Sequence, residues 1–137
     1  MGWSVEDCAG ETEGIGDGLT ATAILVAADG ESDYTLAAVS ALARKSGLSD
    51  DDIEAAQRAR ARDPRTSAAL RFSEHLLEKR GHVSGSELDT LTEAGFTDGE
   101  VAEIIAAVVL NIYRNYFNLV AEPEIDFPFP YRSAAIV

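Results

Sequence analysis

The chain has 137 residues, enough for one domain with its own hydrophobic core and too few for a second. Its 24 acidic and 11 basic residues give a formal net charge of −13. Nucleic acids and anionic membranes bind clustered Lys and Arg, so we expect neither as a partner. The single cysteine, Cys8, excludes an intramolecular disulfide, a two-cysteine redox motif and a zinc site built on several thiolates.

The first 18 residues are rich in glycine and acidic side chains, and they predict a segment without regular structure. The apolar run that follows, residues 19–28, is about half as long as a membrane span. Its acidic prefix is also unlike the basic start of a signal peptide, so we expect a cytoplasmic protein. Length alone does not decide whether this run is a short helix or a strand.

Helix signals dominate the rest of the chain, residues 19–137. Residues 33–46 place Leu36, Val39 and Ala43 on one helix face, with Leu42 beside them and Gly47 as a stop. Further helices are predicted to begin at their capping residues, which are Ser49, Asp63 before Pro64, Ser84 with Glu87, and Thr97 with Glu100.

The clearest helix follows Thr97 and must end before Pro123. Its apolar residues form one broad predicted stripe: Val101, Ile104, Ile105, Val108, Val109 and Ile112. Tyr113, Tyr116 and Phe117 lie at helical spacing and are expected in the core or a subunit interface, with lining of a ligand pocket as the alternative. The tail at residues 125–131 is aromatic and proline-rich, which predicts an extended segment. The fold class expected is all-α.

Three blocks of this sequence resemble the alkylhydroperoxidase D-like (AhpD-like) superfamily, also called the carboxymuconolactone decarboxylase superfamily. They are DYTLAAV and KSGLS within residues 33–49, AALRF and EKRGHVS within residues 68–84, and LNIYRNYFN followed by EIDFP within residues 110–128. The resemblance implies a domain of about six helices that assembles as a trimer or hexamer.

Active members of that superfamily carry a Cys-x-x-Cys pair at the start of a helix and a histidine four residues after the second cysteine. The thiolate there benefits from the helix dipole, and the histidine one turn on can transfer a proton. At the corresponding positions this sequence has Ser32, Thr35 and Val39. Peroxide chemistry is therefore expected to be absent, and Ser32 is expected to cap the helix instead. No cofactor is expected.

Three functions stay open at this stage. The leading hypothesis is a redox-inactive AhpD-like protein that binds a small apolar molecule through Ser32, Tyr34, Thr35 and Val39, or that serves as an oligomeric partner. The alternative is a non-redox enzyme of the carboxymuconolactone decarboxylase type, for which only Glu31, Asp33 and Tyr34 supply ionisable groups nearby. The third is a purely structural protein.

Other candidate sites carry less chemistry. A free thiol at Cys8 has no histidine nearby in sequence and predicts no catalytic role. His75 with Glu74 and Glu78 is interpreted as a solvated helix face, since the histidine points away from the two carboxylates. The acidic run at residues 50–52 fits a helix start better than a calcium loop. No metal site is therefore predicted.

Overall fold

The computed structural model describes residues 16–122 and Glu124, with only the backbone described for Gly16 and Asp17. Within these residues the chain forms six α-helices and no strand, which confirms the all-α prediction. The helices are α1 (Gly16–Asp29), α2 (Asp33–Lys45), α3 (Asp50–Gln57), α4 (Pro64–Glu78), α5 (Gly85–Glu93) and α6 (Asp98–Ala121). The predictions for Cys8 and for the tail at residues 125–131 lie outside the described part of the chain.

Helices α2 to α6 each begin at a capping side chain that accepts a hydrogen bond from the third residue of the helix. The carboxylate of Asp63, for example, accepts from the Thr66 amide at 2.8 Å, with Pro64 in the first turn. The other four caps are Ser32, Ser49, Ser84 and Thr97. These starting points agree with the sequence prediction, because a cap is a local interaction that the sequence contains in full.

Helix α1 lies at the centre of the fold and packs against α2, α3, α4 and α6. It is apolar on nearly all sides, as a buried helix must be, and Ile24, Ala27 and Ala28 are fully buried. The apolar run that could have been a strand is therefore helical. The helix begins at Gly16, so the last three residues of the predicted irregular segment belong to it.

The predicted stripe of α6 is divided between the core and the surface, and this corrects the sequence interpretation. Ile104 and Val108 are buried, whereas Ile105 and Val109 are exposed. The other helices cover only one side of α6, and residues one position apart on a helix lie 100° apart around its axis. Leu42 on α2 is likewise 57% exposed rather than packed with its neighbours.

Candidate functional site

Ser32 and Thr35, the predicted positions of the family's two cysteines, lie together at the start of α2. Their hydroxyl oxygens are 2.8 Å apart, and Ser32 Oγ also accepts a hydrogen bond from the Thr35 amide at 3.3 Å. This is the helix cap predicted for Ser32, and it is confirmed. Both residues are buried, as is Val39 one turn further along. The side chains of Ser32, Thr35 and Val39 are therefore part of the protein interior and not of its surface.

A third polar side chain completes this group from the far end of the sequence. Asn118, near the end of α6, donates a hydrogen bond through Nδ2 to Thr35 Oγ1 at 2.8 Å. The Ser32, Thr35 and Asn118 side chains form one connected set, called here the hydroxyl–amide network. The partnership of Asn118 with Thr35 does not follow from the sequence alone. The pairing spans 83 positions, and no local pattern could have revealed it.

Two further asparagines, one and two turns before Asn118, lie on the side of α6 that faces the core. Asn115 Nδ2 donates to the Val26 carbonyl at 2.8 Å, and Asn111 Nδ2 donates to the Ala107 carbonyl at 2.7 Å. Both residues are buried, and their Oδ1 atoms have no hydrogen-bond partner within the described residues. Asn111, Asn115 and Asn118 are spaced by four and three residues, about one helical turn each. Their amides therefore form a polar row along the side of α6 that faces the core.

The remaining predicted site residues lie nearer the surface. Tyr34 is partly buried, and Glu31 and Asp33 are exposed. Glu31 has a positive φ of 55°, which marks the turn between α1 and α2. The first turn of α2 therefore presents a buried polar pair on its inner side and ionisable groups towards solvent.

Two surface clefts open elsewhere in the described part of the chain, and neither is lined by Ser32, Thr35 or Val39. One, of about 230 Å³, includes Asp52, Arg60 and Arg62. The other, of about 250 Å³, has a mixed charged lining: Asp29, Gln57, Arg58, Arg60, Glu74 and Glu78, with Leu25 and Leu77. Partial burial, together with the nearby carboxylates of Glu78 and Glu31, raises the pKa of Asp29. The second cleft therefore holds an acid with altered proton affinity.

Among the described residues, His75 forms its ion-pair contact with Glu87 and not with Glu74 or Glu78, which lie near it in sequence. Its Nδ1 lies 2.8 Å from Glu87 Oε1, and Lys79 Nζ lies 2.6 Å from the same oxygen. Hydrogen bonds lower the pKa of Glu87 to about 2. The bond from Lys79 has the largest effect, and the bond from the Ser84 amide has the next largest. The described residues contain no group of three His, Cys, Asp or Glu that could hold a metal ion. His75 thus belongs to a contact that joins α4 to α5.

Comparisons with models of known protein families, with curated proteins and with solved structures gave no significant match to this chain. The AhpD-like resemblance therefore stays a prediction from the residues quoted above.

Proposed function

We propose that this protein is a redox-inactive AhpD-like protein that works as an oligomeric partner and does not turn over peroxides. The hydroxyl–amide network carries the proposal. Where the family's chemistry needs two thiols and a proton acceptor, this chain has two hydroxyls that bond to each other, and the Thr35 hydroxyl also accepts from Asn118. A hydroxyl without a general base is un-ionised near neutral pH, and it has no route to a sulfenic acid.

The network also bears on the choice between a ligand-binding and a partner-binding role. A small molecule that reached Ser32 or Thr35 would have to displace Asn118 and enter a region where both hydroxyls are almost fully buried. Breaking buried hydrogen bonds without replacing them is costly. An apolar ligand offers no such replacement, which favours association through the protein surface over binding of an apolar ligand at these residues.

The direct test is a peroxidase assay on the full chain. Purified protein is incubated with an organic hydroperoxide and a dithiol reductant, and peroxide consumption is compared with that in buffer. We expect no consumption above the buffer rate for the wild type or for Cys8→Ala. Turnover that survives Cys8→Ala would overturn the proposal, because it would require peroxide chemistry without any cysteine.

One observation favours the alternative, a non-redox enzyme. Such an enzyme needs a polar cleft with an acid of altered pKa, and the cleft beside Asp29 has both. If this function holds, the protein should consume a carboxymuconolactone without added reductant. Asp29→Asn should abolish that activity, while Asp89→Asn, an exposed change on α5, should leave it intact.

A further inference from the structure

The side of α6 that faces away from the core is apolar and exposed from Ile105 to Val120. Its six largest contributors, called here the outer face of α6, are Ile105, Val109, Tyr113, Tyr116, Phe117 and Val120. Tyr113, Tyr116 and Val120 are 64%, 67% and 86% exposed. The Tyr113 and Phe117 rings stack with their centroids 6.2 Å apart. The aromatic rings form part of a continuous surface that the described residues leave uncovered.

The area of this face is large for a monomer. With aromatic side chains of roughly 200 Å², somewhat smaller aliphatic ones, and exposed fractions between 38% for Ile105 and 86% for Val120, the six residues present roughly 700 Å² to solvent. The largest apolar patch on a typical monomer is about 300–600 Å². A stable interface takes about 800 Å² from each partner, so the outer face nearly suffices for one. Tyr and Phe are also enriched in such interfaces.

From Val101 to the end of α6 the charged residues are Glu103 and Arg114, and both lie at one edge of this face. Arg114 is the only charged residue from position 104 to position 121, in a chain with a net charge of −13. Glu103 lies 11 positions earlier, which is three helical turns, so Glu103 and Arg114 line up along the same edge. Glu103 Oε2 is buried without a hydrogen-bond partner, and neither residue forms an ion pair within the described residues.

We propose that two copies of this chain associate through the outer face of α6, with the two α6 helices antiparallel. The two-fold axis passes midway between positions 108 and 109, so that Glu103 of each copy faces Arg114 of the other. The same patch then serves both subunits, as a two-fold interface requires. In a parallel pair the same edges of the two helices would lie on opposite sides of the interface, so neither Glu103 nor Arg114 would face an opposite charge.

This interface rests on the proposed function and specifies the surface through which the partner role operates. It also narrows the predicted assembly. A two-fold pairing of α6 produces a dimer, and it can join two trimers into a hexamer. A closed ring of three subunits contains no two-fold axis, so a trimer alone is not expected.

A lipid bilayer is the other environment that could cover such a face. By length and composition α6 would suffice to cross a membrane, with 22% of its most apolar 18-residue stretch buried inside the fold. Insertion would, however, pull Asn111 and Asn115 from the core into hydrocarbon and expose α1. The net negative charge also opposes binding to anionic lipid. Both arguments favour a second copy.

The first test measures the mass of the full chain by light scattering after size exclusion, and its dissociation constant by sedimentation. We expect a dimer or hexamer for the wild type. Val109→Asp places two carboxylates beside the two-fold axis and is expected to raise the dissociation constant at least about 100-fold. The matched control is Leu42→Asp on α2, where the side chain is 57% exposed compared with 59% for Val109. It should leave the mass unchanged.

The second test exchanges the edge charges. Glu103→Arg and Arg114→Glu each place like charges opposite one another, and each is expected to weaken association about 5- to 30-fold. The double variant should return to within about threefold of the wild type. Single variants without effect would overturn the antiparallel register. Circular dichroism identifies any variant that fails to fold, and recovery of association in the double variant shows that the single variants lost it through their charges.

Three outcomes would overturn the proposal: a monomer at every concentration, an oligomer unaffected by Val109→Asp, or a monomer that sediments with phosphatidylcholine vesicles and loses this ability in Val109→Asp. The last would assign the outer face to lipid. A monomer that consumes no hydroperoxide would refute the interface and leave the loss of redox chemistry standing. A dimer that consumes hydroperoxide without Cys8 would refute the proposed function and leave the interface standing.

Discussion

Gly30, in the turn after α1, lies directly against the side chain of Asn115 on α6. Because Gly30 has no side chain, the end of α1 can approach α6 closely. A Cβ atom placed on Gly30 would be 2.9 Å from Asn115 Cγ and closer still to Nδ2. The Gly30 amide and Asn115 Nδ2 both donate to the Val26 carbonyl, at 3.0 and 2.8 Å. The Val26 carbonyl at the end of α1 therefore accepts hydrogen bonds both from the turn that follows α1 and from α6. This turn leads directly to Ser32.

Gly30→Ala is expected to destabilise the fold by about 2–4 kcal/mol. The new methyl group would push the Asn115 amide away from the Val26 carbonyl, which adds the strain of overpacking to the loss of a buried hydrogen bond. Urea unfolding followed by circular dichroism measures the free-energy change. Gly85→Ala is the matched control, because a Cβ there meets nothing within 4 Å. Equal stability of the two variants would contradict the close packing of Gly30 on Asn115.

Thr35→Val is expected to cost about 1–2 kcal/mol of stability. Valine keeps the shape of threonine but removes the acceptor of Asn118 Nδ2, and it leaves Ser32 Oγ only its bond from the backbone amide at position 35. If the network is real, Asn118→Ala should cost less in the Thr35→Val background than in the wild type, with a coupling of about 0.5 kcal/mol or more. Purely additive effects in urea unfolding would argue against it. Thr92→Val, an exposed change, serves as the control.

The side chains at positions 32 and 35 are close enough to be joined covalently. In a Cys8→Ala background, Ser32→Cys with Thr35→Cys is expected to form a disulfide under mild oxidation, because the oxygens replaced are 2.8 Å apart. Titration of free thiols before and after reduction measures the bond. Ser32→Cys with Val39→Cys is the control, since seven helical residues separate the sulfurs by about 10 Å along the axis. A pair at 32 and 35 that stays reduced would show that the predicted site geometry is wrong.

Stability is expected to fall in acid as Glu87 takes up a proton. Its pKa is lowered from 4.5 to about 2 in the folded state, so its stabilising effect is complete above the ordinary pKa and is lost as pH falls from about 4.5 towards 2. Glu87→Gln should therefore be less stable than the wild type at pH 7, and the difference should shrink towards pH 2. Thermal unfolding across this range measures the effect, with Glu93→Gln in the same helix as control. A difference that stayed constant with pH would contradict the sign of the shift.

Features encoded by neighbouring residues could be predicted from the sequence. The caps at Ser32, Ser49, Asp63, Ser84 and Thr97 bind amides three positions away, and each of these helices begins where its cap predicted. The Ser32 cap belongs to the candidate site, so part of that site followed from local chemistry as well.

Features that depend on distant contacts could not be predicted. Periodicity marks Ile105 and Val109 as members of an apolar stripe, but it does not say which side of a two-sided helix meets the core. Asn118 joins the site only because α6 returns to the start of α2. Gly30 reads as an ordinary turn residue, and its role depends on Asn115, 85 positions later.

The central position of α1 makes completion of the fold depend on α6, the last helix in the described part of the chain. One flank of α1 is covered by α6, which is the final described helix to leave the ribosome. A nascent chain that stops before residue 98 exposes that flank together with the Val26 carbonyl, and stepwise folding during translation is thereby disfavoured. Truncation before residue 98 should produce a chain that trypsin degrades throughout, rather than a smaller protected core.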